Sequence, residues 1–376
     1  MSGAGDFSED SALKECQDFM CEVIEKAGDI VRRGIDAVKK VETKTSVFDL
    51  VTEYDGEVED FLVAEIHRKY PDHKIIAEEK HAKEALTDDP TGVMSGAGDF
   101  CEDSVLKECQ DFMCEVIEKA GDIVRRGIDA VKKVETKTSV FDLVTEYDGE
   151  VEDFLVAEIH RKYPDHKIIA EEKHAKEALT DDPTWIIDPI DGTTSFVHGY
   201  PLVAISVALA FQKRLVLGVV SAPIQRELYC ARRGHGATMN GQKIHTTSTT
   251  SLIDSLVGDE PSLASRDKYR NEILVRTYGL TSRVSGIRAV GSAVLGLVYV
   301  ARGILDVYQV VGIYPWDLAA GAIIVQEAGG VISHPDGSPY DIMNGSIVVS
   351  ANEELHKQIL AFNQEFSGKV LELRDK

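Results

Sequence analysis

The chain has 376 residues, of which 43% are hydrophobic and 28% charged, and its formal net charge is −23. That is the composition of a soluble globular protein with a sizeable core, and the length suits two ordinary domains or one large domain with an extension. The acidity excludes a nucleic-acid or anionic-membrane surface as the working face, and no apolar run reaches the roughly eighteen residues of a membrane span.

The acidic, small-residue start MSGAGDFSED is unlike a basic-then-apolar secretory signal. The end, LELRDK, carries no lipid-attachment or retrieval signal. The six cysteines, Cys16, Cys21, Cys101, Cys109, Cys114 and Cys230, form no CxxC pair and match no zinc or disulfide framework. Cys109 and Cys114 fall in a predicted helix and are expected to be buried thiols of a protein in a reducing cytosol.

In chain order, the first feature is a repeat. Met1 to Thr91 matches Met94 to Thr184 without gaps, and the copies differ only where Ser8 becomes Cys101 and Ala12 becomes Val105. Solenoid repeats have periods of about 20–50 residues and diverge at the surface; a long, nearly perfect copy is instead expected to be a recent tandem duplication or a duplicated exon. The copies part after a shared DDPT. The first continues Gly92-Val93 and restarts at Met94, whereas the second continues Trp185-Ile186-Ile187-Asp188.

From Met94 onward, Leu106, Cys109, Met113, Val116, Ile117, Ala120, Ile123, Val124 and Ile128 recur at helical spacing and predict a long amphipathic helix. Val151, Leu155 and Ile159 predict a second, closing near Tyr163-Pro164. The apolar runs HKIIA (from His166) and WIID (from Trp185) predict buried strands joined by an acidic loop. From Leu202 the runs LVAISVALAF, RLVLGVVSA and ELYCARR predict successive strands, and Asn240-Gly241 predicts a tight hairpin turn. Helices are expected near Lys268 to Thr277 and from Gly291 to Ala301, then a strand LDVYQVV. A helix after Pro315, stopped by Gly329-Gly330, a strand SIVVSA and a last helix from Glu353 complete the pattern. The mixture, with many antiparallel neighbours, indicates an α+β or layered α/β class.

Three acidic clusters lie at the ends of these elements: Glu171-Glu172 after HKIIA, Asp188-Pro189-Ile190-Asp191 after WIID, and Asp317 opening a helix. Strand ends beside loops are where open α/β sheets place ligands. Pro189 imposes a bend, across which Asp188 and Asp191 are expected to converge with the Ile190 carbonyl. Hard oxygen donors of this kind suit Mg²⁺. Gly192-Thr193-Thr194 follows as a polar turn whose backbone N–H groups suit an anion. Carboxylates for a metal beside donors for phosphate is what phosphoester hydrolysis requires. Each motif alone has a plainer reading: DPxD as a solvated turn, Asp317 as a favourable charge at a helix N-terminus, and His198 as a structural hydrogen-bonding histidine.

Together, WIIDPIDGTTSFVHGYP and WDLAAGAIIVQEAGG resemble the two signatures of the inositol monophosphatase family. The resemblance runs from about Leu106 to the last helix and takes in DLVTEYD (Asp142 to Asp148), the Glu171-Glu172 pair and GIRAVGSA (Gly286 to Ala293). It implies a layered αβαβα sandwich, a cytoplasmic homodimer, and a lithium-sensitive phosphatase that uses two to three Mg²⁺ ions on a small phosphorylated substrate. Glu171, Asp188 and the Ile190 carbonyl would hold the first ion, Asp188, Asp191 and Asp317 the second, and Asp148 with Glu171 a weaker third. Thr193 with Glu171 would orient the attacking water, and the backbone from Ile190 through Asp191 and Gly192 to Thr193 would hold the phosphate. Gly291, Ser292 and Ala293, with Asp317, would approach the released alcohol. Lys137 matches a lysine near the metals, and bound cations would make the acidic pocket electrophilic.

Two positions depart from the pattern. Ser195 stands where asparagine is commonest. Val310 stands where family members specific for inositol phosphate carry a glutamate that hydrogen-bonds ring hydroxyls; losing such a contact typically costs about 1–3 kcal/mol in discrimination. The resemblance makes hydrolysis of inositol monophosphate the leading expectation, while Val310 counts against recognition of the inositol ring. A sugar phosphate or an adenosine 3′,5′-bisphosphate is the alternative substrate, and a catalytically silent metal-binding interaction protein the alternative class. Residues 1–93 repeat Lys137, Asp148 and Glu171 as Lys44, Asp55 and Glu78 but contain no DPIDGTT and no WD. They are expected to be an incomplete copy, with the complete domain spanning 94–376 and the working start at Met94.

Overall fold

The computed structural model describes residues 23–29, 31–32, 41–43, 50–69, 103–137 and 143–369. The chain divides into two compact units, Met1–Met94 and Ser95–Lys376. Lys44, Glu78, Cys16, Cys21, Cys101 and the junction around Met94 lie outside the described residues, as do the side-chain contacts of Asp55.

In the first unit, strand β1 (Val41–Thr43) pairs antiparallel with β2 (Leu50–Thr52), and helix α1 (Glu53–Lys69) follows. The second unit repeats this with the same residues: β3 (Val134–Thr136), β4 (Leu143–Thr145) and α3 (Glu146–Lys162). The register is equivalent too, Val41 opposite Thr52 and Val134 opposite Thr145. Identical local sequence thus takes identical local structure in both units.

The second unit begins with helix α2 (Asp103–Gly127), ahead of β3, β4 and α3. Strands β5 (Lys167–Ala170), β6 (Thr184–Asp191), β7 (Ala204–Phe211), β8 (Arg214–Ala222), β9 (Glu227–Arg232), β10 (Ala237–Met239) and β11 (Gln242–Ile244) form a seven-stranded sheet in the order β11-β10-β9-β8-β7-β6-β5. The short helix α4 (Thr193–Val197) lies between β6 and β7. A second sheet, ordered β13-β12-β14-β16-β15, is made of β12 (Leu256–Asp259), β13 (Gly286–Arg288), β14 (Val307–Val310), β15 (Val331–Ser333) and β16 (Ile347–Ser350). Helices α5 (Arg270–Leu280), α6 (Ala293–Ala301), α7 (Pro315–Glu327) and α8 (Glu353–Phe366) complete the unit.

The alternation of strand side chains sorts these elements into layers. Trp185 and Ile187 of β6 pack with the apolar stripes of α2 and α3, while Ile186 between them packs toward α6 and α7. Helices α6 and α7 are buried on nearly all sides, because they lie between the sheets and touch Tyr308 and Val310 of β14 from the opposite direction. Val307, next along β14, turns outward to Leu280 of α5 and Leu355, Ile359 and Phe362 of α8. The result is the expected αβαβα sandwich. No helix among the described residues is long and apolar enough to cross a membrane.

Several boundaries differ from those read in the sequence. The strand begun by WIID does not end at Asp188 but runs on to Asp191. The helix expected from Gly291 starts at Ala293, because Ser292 caps it and its Oγ accepts from the Leu295 N–H at 3.3 Å. The helix expected near Lys268 spans Arg270–Leu280, and LDVYQVV contracts to Val307–Val310. The Asn240-Gly241 turn is as read, with φ values of 49° and 77°, the left-handed pair that a tight hairpin requires.

Candidate active site

The site is built at the end of β6. In a regular strand, residues three apart face opposite sides, so Asp188 and Asp191 should diverge. They do not, because the pairing with β7 slips: Asp188 lies opposite Ser206 and Asp191 opposite Ala204. Two residues, Pro189 and Ile190, thus oppose one, which is a β-bulge, and the extra residue returns Asp191 to the side of Asp188. Proline is tolerated there because a bulged residue owes no ladder hydrogen bond. Asp317 arrives from the first turn of α7, where its Oδ2 accepts from the Tyr314 N–H at 2.7 Å. Carboxylate oxygens of Asp188, Asp191 and Asp317 all lie within 4.8 Å of one another.

Three carboxylates so close, two of them buried and Asp317 half-buried, repel one another. Burial, with the charges of Glu171, Asp191 and Asp317, pushes the Asp188 carboxyl well above its ordinary range. Burial and the charges of Asp191 and Glu171 push Asp317 up to about 8. Asp191 is raised less, to about 6: burial is offset by hydrogen bonds from Ser292 Oγ at 2.6 Å and the Val294 N–H at 2.7 Å. A divalent cation among these oxygens would turn the repulsion into attraction, and the all-oxygen donor set suits a hard ion.

Glu171 follows β5, which pairs parallel with β6, and its N–H donates to Ile187 O at 3.2 Å. Lys137 Nζ bridges Glu171 Oε1 at 2.7 Å and Glu172 Oε1 at 2.6 Å. Burial works against the lysine charge, but the two carboxylates outweigh it and raise its pKa. Burial lifts Glu172 to about 7 despite that contact.

Asp148 enters from the first turn of α3. Its Oδ2 accepts from the Thr145 N–H at 2.8 Å while its own N–H donates to the Thr145 side chain, a capping box, and Thr145 Oγ1 donates to the same Oδ2 at 2.5 Å. Burial nevertheless raises it to about 6. Its Oδ1 faces Thr193 Oγ1 at 3.4 Å, and that hydroxyl is also 3.2 Å from the Ile190 carbonyl oxygen. Thr193, Ile190 and Asp148 therefore share one hydroxyl proton.

Gly192 and Gly291 let the two halves of the site meet. Gly192 has φ 94°, and a Cβ there would sit 3.0 Å from Gly291 O and 3.1 Å from Leu202 O. Gly291 has φ 78° and faces Ser195. Both combine a left-handed backbone with close approach, and only glycine satisfies both at low cost.

Not every predicted contact uses the predicted atom. The Ile190 N–H is committed to Asp188 Oδ1 at 3.0 Å, so Ile190 presents its carbonyl and not its amide. The Gly291 N–H is committed to Glu260 at 3.2 Å. Val310 is fully buried against the middle helices. His198 is exposed, and its backbone N–H, donating to Thr194 O, closes α4. Of the expected buried thiols, Cys109 is buried and Cys114 half-buried.

Two supporting residues were missed in the sequence. Glu152, fully buried on α3, accepts from the Glu172 N–H at 2.7 Å and the Lys173 N–H at 2.8 Å, and so fixes the turn that carries Glu171. Glu260 accepts from the Val290 N–H at 2.9 Å and from Gly291, fixing the turn that carries Ser292; burial lifts it to about 7. A signal existed for each. Asp148, Glu152, Leu155 and Ile159 share one helix face, so Glu152 is a charge at a core position, and Glu260 ends an apolar strand as the other acidic clusters do.

The family model described as the inositol monophosphatase family matches residues 12–94 and 105–366. The chain belongs to the inositol monophosphatase family. It is accordingly a hydrolase of phosphate monoesters, in a family that depends on metal ions. Inositol monophosphatase 2 of Mus musculus is 40% identical over 253 residues, covering 66% of this chain and 87% of the relative. Inositol monophosphatase 1 of Sus scrofa is 40% identical over 258 residues, covering 67% and 93%. Among solved structures, the Thermotoga maritima IMPase is similar with a TM-score of 0.63 and 34% identity, covering 69% of this chain and 98% of that one.

Proposed function

We propose that the chain is a Mg²⁺-dependent phosphatase that hydrolyses inositol monophosphate to inositol and phosphate. The observation that carries the reading is the convergence of buried Asp188 and Asp191 with half-buried Asp317, within 4.8 Å of one another, at the end of β6. The relatives named inositol monophosphatase support the substrate class.

In this reading Glu171, Asp188 and the Ile190 carbonyl hold one cation, Asp188, Asp191 and Asp317 a second, and Asp148 with Glu171 a weaker third. Bound Mg²⁺ supplies positive charge that polarises the phosphoryl oxygens and makes an attacking water acidic. The remaining work belongs to the chain. Thr193 Oγ1 donates its hydrogen bond to Asp148 Oδ1 or to the Ile190 carbonyl, which leaves its lone pairs free to accept a hydrogen bond from the attacking water. Glu171 would orient the same water with Thr193. The amides of Gly192 and Thr193 bind phosphate oxygens, and the Gly291–Ala293 segment borders the departing alcohol with Asp317.

Val310 favours a second reading of the substrate. A buried valine cannot accept a hydrogen bond from a ring hydroxyl, so a sugar phosphate or an adenosine 3′,5′-bisphosphate competes with inositol phosphate. A phosphate-release panel with Mg²⁺ and with chelator tests both. Release from inositol monophosphate ahead of the others, abolished by chelator, supports the leading reading. Preference for another monoester transfers the assignment to it, and activity that survives chelation overturns the metal dependence.

We assign the complete hydrolase to residues 94–376 and regard 1–93 as an incomplete duplicate, because DPIDGTT and the WD aspartate occur only in the second unit. A cytoplasmic, lithium-sensitive homodimer completes the reading. Limited proteolysis that released no stable fragment beginning near Met94 would count against this division.

A further inference from the structure

Helix α2 and strand β9 each bring a thiol to their shared interface. Cys114 Sγ lies 3.8 Å from Cys230 Sγ. Gln110, one turn earlier on the helix, donates from Nε2 to Cys230 Sγ at 3.0 Å and fixes the orientation of that thiol. Cys230 is buried and Cys114 half-buried, so the pair is open to solvent through Cys114. Neither α2 nor β9 contributes a residue to the phosphatase site, so these thiols have no part in the chemistry described above.

We propose that Cys114 and Cys230 form a reversible oxidation site, a thiol pair that a hydroperoxide converts into a disulfide clasping helix α2 to strand β9. The roles of the two sulfurs are unequal. The hydrogen bond with Cys230 holds the Cys114 thiol below its usual range in spite of burial, whereas the Cys230 thiol is pushed up by the Cys114 contact and by burial. Cys114, the half-buried sulfur that a hydroperoxide reaches first, is thus the attacking thiolate. Its sulfur displaces an alkoxide or hydroxide from the O–O bond and becomes a sulfenic acid. The Cys230 sulfur then attacks the Cys114 sulfur, the sulfenic hydroxyl leaves, and the Cys230 proton joins it as water. Two thiols and one hydroperoxide give one disulfide, one alcohol and one water; the sulfurs lose two electrons and the O–O bond gains them. The sulfurs must close from 3.8 Å to about 2.05 Å, which side-chain rotation at the half-buried Cys114 supplies.

The clasp would pin a helix that backs the site. A Cβ on Gly127, at the end of α2, would meet Phe196 at 2.7 Å and Tyr147 at 2.8 Å, so the helix end lies hard against residues flanking Thr193 and Asp148. The repeated segment carries Cys21 where the second copy carries Cys114, so the identity of the link also reports which copy supplies the helix beside β9.

The test uses the full chain, reduced, exposed to dilute hydrogen peroxide, alkylated and mapped by peptide mass spectrometry. The expected result is a Cys114–Cys230 linked peptide, loss of both free thiols while Cys109 remains alkylatable, and reversal by dithiothreitol. The oxidised protein should melt at a higher temperature, and Cys114→Ser should abolish both the link and the shift. Cys230→Val, which keeps an apolar residue of similar size in the strand, should do the same without unfolding the protein. Two thiols still free after peroxide, oxidation of Cys109 ahead of Cys114, or a Cys21–Cys230 link would each overturn the proposal.

Discussion

The Asp191 carboxylate is held from behind by Ser292, a residue 101 positions later in the chain, whose Oγ donates to Asp191 Oδ2 at 2.6 Å. The Val294 N–H reaches the same oxygen, so the N-terminus of α6 aims a side chain that projects from the bulge in β6. Groups that orient a metal ligand typically carry about 10–100-fold in affinity or activity when removed. Ser292→Ala is therefore expected to lower phosphatase activity at limiting Mg²⁺ by about that factor, with much of the loss recovered at saturating Mg²⁺. Titration of activity against Mg²⁺ concentration checks it; an unchanged half-saturation point would contradict the positioning role.

Glu152 makes a comparable prediction for the opposite wall. It is fully buried and accepts two backbone N–H groups from the turn carrying Glu171 and Glu172. Glu152→Ala leaves both part-buried donors without their acceptor, at up to about 1–3 kcal/mol for each. The expected outcome is a large drop in unfolding free energy in urea, with weakened Mg²⁺ activation. Glu152→Gln keeps one acceptor oxygen and should fall between the variant and the parent.

The two copies of the repeat are expected to respond differently to the same substitution. Glu171→Gln removes a proposed cation ligand and water-orienting group and should lower kcat by at least about 10²-fold. Glu78→Gln changes the matching position of the first copy and should leave kcat within about twofold, as for a substitution away from the chemistry. Equal losses in steady-state phosphate release would refute the assignment of the working site to the second copy.

The acidic cluster also predicts a pH dependence. In the cation-free protein Asp191 is pushed up to about 6 and Asp317 to about 8, from an ordinary 3.8. Between about pH 4 and pH 8 the folded chain therefore binds more protons at these groups than the unfolded chain does, and stability falls as pH rises. The contribution is fully present below the unfolded pKa and is lost as the pH passes the folded values. Urea midpoints in chelator should be lower at about pH 8 than at about pH 5, and added Mg²⁺ should narrow the gap by taking the place of the protons. Asp188→Asn, which removes one repelling charge, should flatten the slope.

Much of the architecture was legible because its signals are local. The stripe from Leu106 to Ile128 is a helix wherever it packs, Asn240-Gly241 turns wherever it occurs, and Glu53–Lys69 folds like Glu146–Lys162 because the residues are the same. Boundaries slipped where a tertiary partner sets them: α6 starts at Ala293, two residues after Gly291, because the Ser292 hydroxyl is engaged by both Leu295 and Asp191. Glu152, a charge at a core position, and Glu260, at a strand end, showed a signal, but their main partners are backbone amides, which no residue type advertises.

The sequence by itself determined that three acidic motifs sit at element ends, that the signatures are those of a phosphatase family, and that only the second copy continues into DPIDGTT. It led to the expectation that Asp188 and Asp191 converge across the bend at Pro189, but not to the register that makes them do so, since strand periodicity alone sends them to opposite faces. That was decided by the bulge against β7, where Pro189 and Ile190 together oppose one residue. Nor could it bring Asp317 and Ser292 to them from more than a hundred positions away. The closing of α6 and α7 between two sheets does so, because helices apolar on all sides have nowhere else to be buried.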